Sequence, residues 1–109
     1  MAIKSFSDFS KEEKIAFWEE SERLLRQCLQ LADIPPGRDL QHAEDFIEHN
    51  EHSLAFDVVV AVLKRDRKAI SSDLFEQLMK LSNRFQYNKA EPGSPEADCW
   101  QSIQKFAIR

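Results

Sequence analysis

Hydrophobic residues recur every three or four positions along most of this chain, and in one place they crowd into a nearly unbroken run. Between residues 11 and 32, Ile15, Phe17, Trp18, Leu24, Leu25, Cys28, Leu29, Leu31 and Ala32 make a wide apolar stripe at helical spacing. Glu12, Glu19, Glu20, Arg23, Arg26 and Gln30 fill the other face, with Glu19 and Arg23 at the favourable i,i+4 separation. Ser10-Lys11-Glu12-Glu13 reads as a capping box, in which the serine accepts from the Glu13 N–H while the Glu13 carboxylate reaches back. "DIPPGRD" (33–39) ends this helix, because Pro35 and Pro36 cannot continue it and Gly37 frees the turn. Asp39 is placed to cap a second helix, about 40 to 49. There Leu40, Ala43, Phe46 and Ile47 share one face, and Gln41, His42, Glu44, Asp45, Glu48 and His49 fill the remainder. Asn50 suits a left-handed C-cap.

The third segment, about 51 to 65, contains "DVVVAVL", and valine favours strands. Two features predict a helix instead. Leu54, Ala55, Val58, Val59 and Val62 keep the 3, 4 and 7 spacing, and "KRDRK" follows, which suits a helix C-terminus through the macrodipole. A helix apolar on nearly every side is a central one. Ser71 or Ser72 caps a fourth helix, about 73 to 85, whose inner face is Leu74, Phe75, Leu78, Leu81 and Phe85. "QYNKAEPGSPEAD" forms the main loop, and Ser94-Pro95 opens a last helix, about 95 to 107, burying Trp100, Ile103 and Phe106. The expected fold is all-α: one domain, residues 1–109, built as a single compact bundle of about five helices.

Composition agrees with that picture. Apolar residues make up 42% and charged residues 31%, a globular profile, and two glycines and four prolines are few for a β-rich fold. The N-terminal sequence lacks an apolar signal core and no stretch has the roughly 18 apolar residues of a membrane span, so the expected location is the cytoplasm. A net charge of −4 argues against non-specific nucleic-acid binding, which needs clustered Lys/Arg. Cys28 and Cys99 are the only cysteines, and their distances to the histidines resemble no zinc motif. They read as ordinary thiols, a disulfide being the lesser alternative. His49 and His52 are three apart and Asp45 precedes His49 by four, but the helix breaks near Asn50 and no HExxH occurs, so no metal or cofactor is expected. Nucleophile elbows, Walker motifs and glycine-rich phosphate loops are missing, and adjacent carboxylates such as Glu44/Asp45 or Glu19/Glu20 point apart on a helix. The chain is therefore not expected to be an enzyme.

Charge distribution is the unusual feature. From Asp39 to Leu63 there is no Lys or Arg, while six carboxylates and three histidines occur. A surface of one sign accelerates and orients association with a partner of the other sign, so this tract reads as a docking face for a basic protein; the plain alternative is one solvated face of a bundle. The stretch "AEDFIEHNEHSLAFDVVVAVL" (43–63) resembles the central signature of MafI-type immunity proteins of bacterial polymorphic-toxin systems, similar to those accompanying contact-dependent growth inhibition toxins. The resemblance is carried by Phe46, Ile47, His49, Glu51, Leu54 and Ala55, covers about twenty residues strongly and extends loosely through residues 71–85. It implies a helical, cytoplasmic protein that binds and neutralises one toxin domain, commonly a nuclease such as an RNase. The expected toxin contacts are Glu44, Asp45, Glu48, His52 and Asp57, held by a core including Phe46, Ile47, Leu54, Val58 and Val62. His49 and Glu51 are shared between fold and contact, and Phe56 and Tyr87 are candidate aromatic anchors. Neither nucleic acid, nor membrane, nor a small molecule is an expected partner. The competing reading is a helical adaptor or regulatory protein with an unrelated partner, for instance one self-associating through Val58 to Leu63.

Overall fold

In a computed structural model of the chain, residues 9–66 and 69–108 are described. The chain folds into α1 (Lys11–Ala32), α2 (Arg38–Glu48), α3 (His52–Asp66), α4 (Ser72–Arg84) and α5 (Pro95–Gln104), with a short 3₁₀ turn at Tyr87–Lys89. The all-α bundle read from the sequence is the one that forms. Its helix starts have local causes. Ser10 Oγ accepts from the Glu13 N–H at 3.2 Å, and Glu13 Oε1 accepts from the Ser10 N–H at 3.1 Å, completing the capping box. Ser71 accepts from the Leu74 N–H at 3.1 Å, and Ser94 from the Ala97 N–H at 3.2 Å, with Pro95 in the first turn of α5.

The start of α2 differs from expectation. Asp39 is not its cap. Gly37 takes that position with φ +156°, which a residue bearing a Cβ rarely adopts, and no side chain caps the helix. Asp39 lies in the first turn, where its charge suits the helix dipole, and it pairs with Arg65 of α3 at 2.9 Å. Lys64 and Arg65 form the basic last turn of α3; Arg67 and Lys68 of the "KRDRK" tract lie outside the described residues. On α1, Arg23 pairs with Glu20 rather than Glu19, its Nε donating at 3.0 Å.

The apolar run is helical because it is central. Ala55, Phe56, Val59, Val60, Val62 and Leu63 of α3 are buried, and α3 packs on α1, α2 and α5. All five helices feed one cluster, in which Leu25, Ile47, Phe56, Leu78, Leu81 and Ile103 are fully enclosed. The stripe of α1 is wider than the surface it covers: Leu24, Leu25, Cys28 and Leu29 go inward, while Ile15 and Leu31 stay exposed. Of the last helix's expected core, Ile103 is buried, and Trp100 and Phe106 pack half-buried against the cluster.

Two long-range features have no local signature. Arg84, at the end of α4, donates to Ser21 Oγ and to the Phe17 carbonyl of α1, both at 2.8 Å, and its guanidinium lies 4.2 Å from the centre of the Phe17 ring. α5 stops at Gln104 rather than near 107, and the chain beyond it runs back beside α4's approach. There the Ile70 N–H donates to the Ala107 carbonyl at 2.8 Å, and Ile70 and Ile108 form an isolated parallel bridge. Among the described residues no helix is long and apolar enough to cross a membrane.

Candidate functional site

The shortest link between α-helices joins α2 to α3 through His49, Asn50 and Glu51. Asn50 takes the left-handed conformation, φ 58°, as its sequence position predicts. The Asn50 N–H donates to the Ile47 carbonyl at 3.1 Å and the Glu51 N–H to the Phe46 carbonyl at 2.8 Å, the paired bonds of a Schellman motif. His49 Nδ1 lies 2.7 Å from the Asp45 carbonyl, so that nitrogen carries a proton and donates, adding a second donor to a carbonyl that already accepts the His49 backbone N–H at 3.1 Å. The Glu51 carbonyl then accepts the first bond of α3 from the Ala55 N–H at 3.2 Å. The ring of His49 and the backbone of Glu51 thus serve the turn itself.

That turn fixes one edge of an acidic face. Ala43 and Ile47 of α2 point into the core and Phe46 is half-buried, so Glu44, Asp45 and Glu48 are turned to solvent, with the Glu51 side chain exposed just beyond them. Of the six carboxylates between residues 39 and 57, Asp39 is paired with Arg65. Glu44, Asp45, Glu48 and Glu51 make no ion pair among the described residues.

Other expected site residues sit elsewhere. His52 is only 4% exposed and its Nε2 has no hydrogen-bond partner, so it is no surface contact. Being the first residue of α3, it follows the buried period of that helix, His52, Ala55, Phe56, Val59, and not the acidic face. Asp57 is largely open, but Tyr87 Oη donates to its Oδ1 at 2.7 Å. Burial raises its carboxyl above the usual range, which the Tyr87 bond opposes and Glu96 reinforces. Phe56 and Tyr87 are not surface anchors either. They pack with Phe85, at ring-centre distances of 5.5 Å (Phe56–Tyr87), 5.8 Å (Phe56–Phe85) and 6.2 Å (Phe85–Tyr87). Leu54 is the converse case: expected in the core, it is 43% exposed. The Val58–Leu63 run offers no self-association face, because Val59, Val60, Val62 and Leu63 are all buried within the chain.

Reactive chemistry is sparse. Cys28 and Cys99 are free thiols, each pushed up to about 12 chiefly by burial, so little thiolate exists at neutral pH. No group of three or more His, Cys, Asp or Glu that could hold a metal ion occurs among the described residues. Between α3 and α5 runs an open groove of about 320 Å³ lined by Asp57, Val60, Lys64, Asp98, Cys99 and Ser102. Comparisons with protein-family models, with curated proteins and with solved structures found no match to this chain. The Arg84 tie and the Tyr87–Asp57 bond were not foreseen from the sequence. Partners 63 and 30 residues apart leave no periodicity to read.

Proposed function

We propose that this chain is an immunity protein, which binds the basic toxic domain of a polymorphic toxin of the contact-dependent inhibition kind and neutralises it by occupancy rather than by turnover. The observation that carries the reading is the outer face of α2 and its turn, where Glu44, Asp45, Glu48 and Glu51 stand exposed and unpaired among the described residues. The resemblance of residues 43–63 to MafI-type signatures supports it from the sequence side. A nuclease such as an RNase must attract a polyanion, so its site is lined with Lys and Arg. Carboxylates held on a packed helix imitate that polyanion, and charge already fixed in place loses less entropy on binding than charge on a loose segment. Asp57 is not counted in this surface, since it is bonded to Tyr87 and lines the groove between α3 and α5. Such a protein works in the cytoplasm of the cell it protects.

The test is charge reversal on residues that the fold does not use. Glu44→Lys, Asp45→Lys and Glu48→Lys together are expected to keep the wild-type circular dichroism and melting curve. They are expected to abolish protection and lower affinity for the basic domain by at least about a hundredfold, since like charges now oppose. Wild-type affinity should also fall as salt rises. A folded triple variant that still protects fully would remove the acidic face from the mechanism. Recovery from the native cell of a partner with no basic or toxic domain would favour an adaptor role.

A further inference from the structure

His52 is the one buried histidine of the chain, since His42 and His49 are exposed. It sits where a charge is poorly tolerated. It is the first residue of α3, at the positive end of the helix dipole. Its Nε2 is enclosed without an acceptor, so a proton added there would find no hydrogen bond. The charged groups that reach the ring divide: Glu22 of α1 favours its protonation, and Arg84 of α4 opposes it. α2 ends beside it in Glu48 and His49, both turned to solvent. α5 meets α3 further along, where Asp98 shares the groove with Asp57 and Lys64.

We propose that His52 is a pH-sensitive latch: protonation of its buried ring unseats the first turn of α3 and loosens the turn that links it to α2. This stands on the fold alone and holds whether or not the acidic face binds a toxin.

Burial lowers the ring's affinity for a proton below the ordinary value of 6.5, and Arg84 adds to this while Glu22 opposes. The sign follows. Above about pH 7 the ring is neutral both seated and released, and the latch is fully closed. As pH falls through the ordinary value, only the released ring gains a proton. Each further pH unit then multiplies the released population by about ten, until the seated ring's own lowered value is reached.

Two measurements test the latch. In the first, the wild-type ring is followed by NMR from pH 7.5 to 4.5, and hydrogen exchange of the amides of residues 51–56 is recorded over the same range and corrected for intrinsic rates. His52 is expected to titrate below the ordinary value of 6.5, with exchange at 51–56 rising up to about fivefold between pH 6.5 and 5.5 while amides of α4 hold constant. In the second, His52→Gln, which keeps a polar side chain with no charge to gain, is expected to abolish that rise. His52→Phe serves the same purpose if the glutamine variant fails to fold. Titration of His52 near 6.5 with unchanged exchange, or an equal rise in the variants, overturns the proposal.

Discussion

Arg84 ties together two helices that are far apart in the sequence and neighbours in the bundle. Its guanidinium serves a buried hydroxyl, a backbone carbonyl and an aromatic face, all on α1. Burial outweighs the pull of nearby Glu20 and lowers its proton affinity, but from a starting point so high that it stays charged at any physiological pH. Arg84→Met keeps the stem and removes the donors, leaving Ser21, which is fully buried, without its partner. The loss expected in urea unfolding is about 1–2 kcal/mol, with no change in partner affinity, because Arg84 lies off the acidic face. Arg84→Lys should recover less than half, since an ammonium cannot span both acceptors in the same plane. Nothing in the local sequence marks Arg84: it reads as an ordinary basic residue in the last turn of a helix.

The helices were legible where a start or stop is written into adjacent residues. Ser10 with Glu13, Ser71, Ser94 with Pro95, and Asn50 each specify a backbone event within four positions, and each occurs. Legibility failed where the fold chose between equivalent local options. Asp39 was the expected cap of α2, but the helix starts two residues earlier at Gly37, and Asp39, in the first turn, pairs with Arg65 of another helix. His52 and Leu54 were exchanged in burial, because a central helix apolar on most sides gives little phase information. The acidic face of α2 was readable; which residues of α3 belong to it was not. The turn offers a direct check. Asn50→Ala puts a methyl-bearing residue with no turn-forming side chain at φ 58°, and a loss of about 1 kcal/mol is expected in thermal unfolding. Asn50→Gly should match or exceed the wild type there.

At the level of the bundle, one packed cluster draws on all five helices, so the surfaces that carry charge depend on a core far from them. Phe56 stands at its junction, fully buried and in contact with Phe85 and Tyr87. Phe56→Ala is expected to cost about 3–5 kcal/mol, a large share of the roughly 5–15 kcal/mol that stabilises a domain of this size, and to appear as a lower urea midpoint with an unchanged slope. The Asp39–Arg65 pair adds something at the opposite end. It joins the first turn of α2 to the last turn of α3, while the Schellman turn joins their other ends. These ties, with the packing of α2 on α3, hold the hairpin in register. The intervals between Glu44, Asp45 and Glu48 are set by α2 itself and act as a ruler, one helical rise of about 6 Å from the first to the last. On the proposed function, a partner of this edge is expected to carry cations at matching intervals, and a loose polylysine tail, however charged, to bind it more weakly.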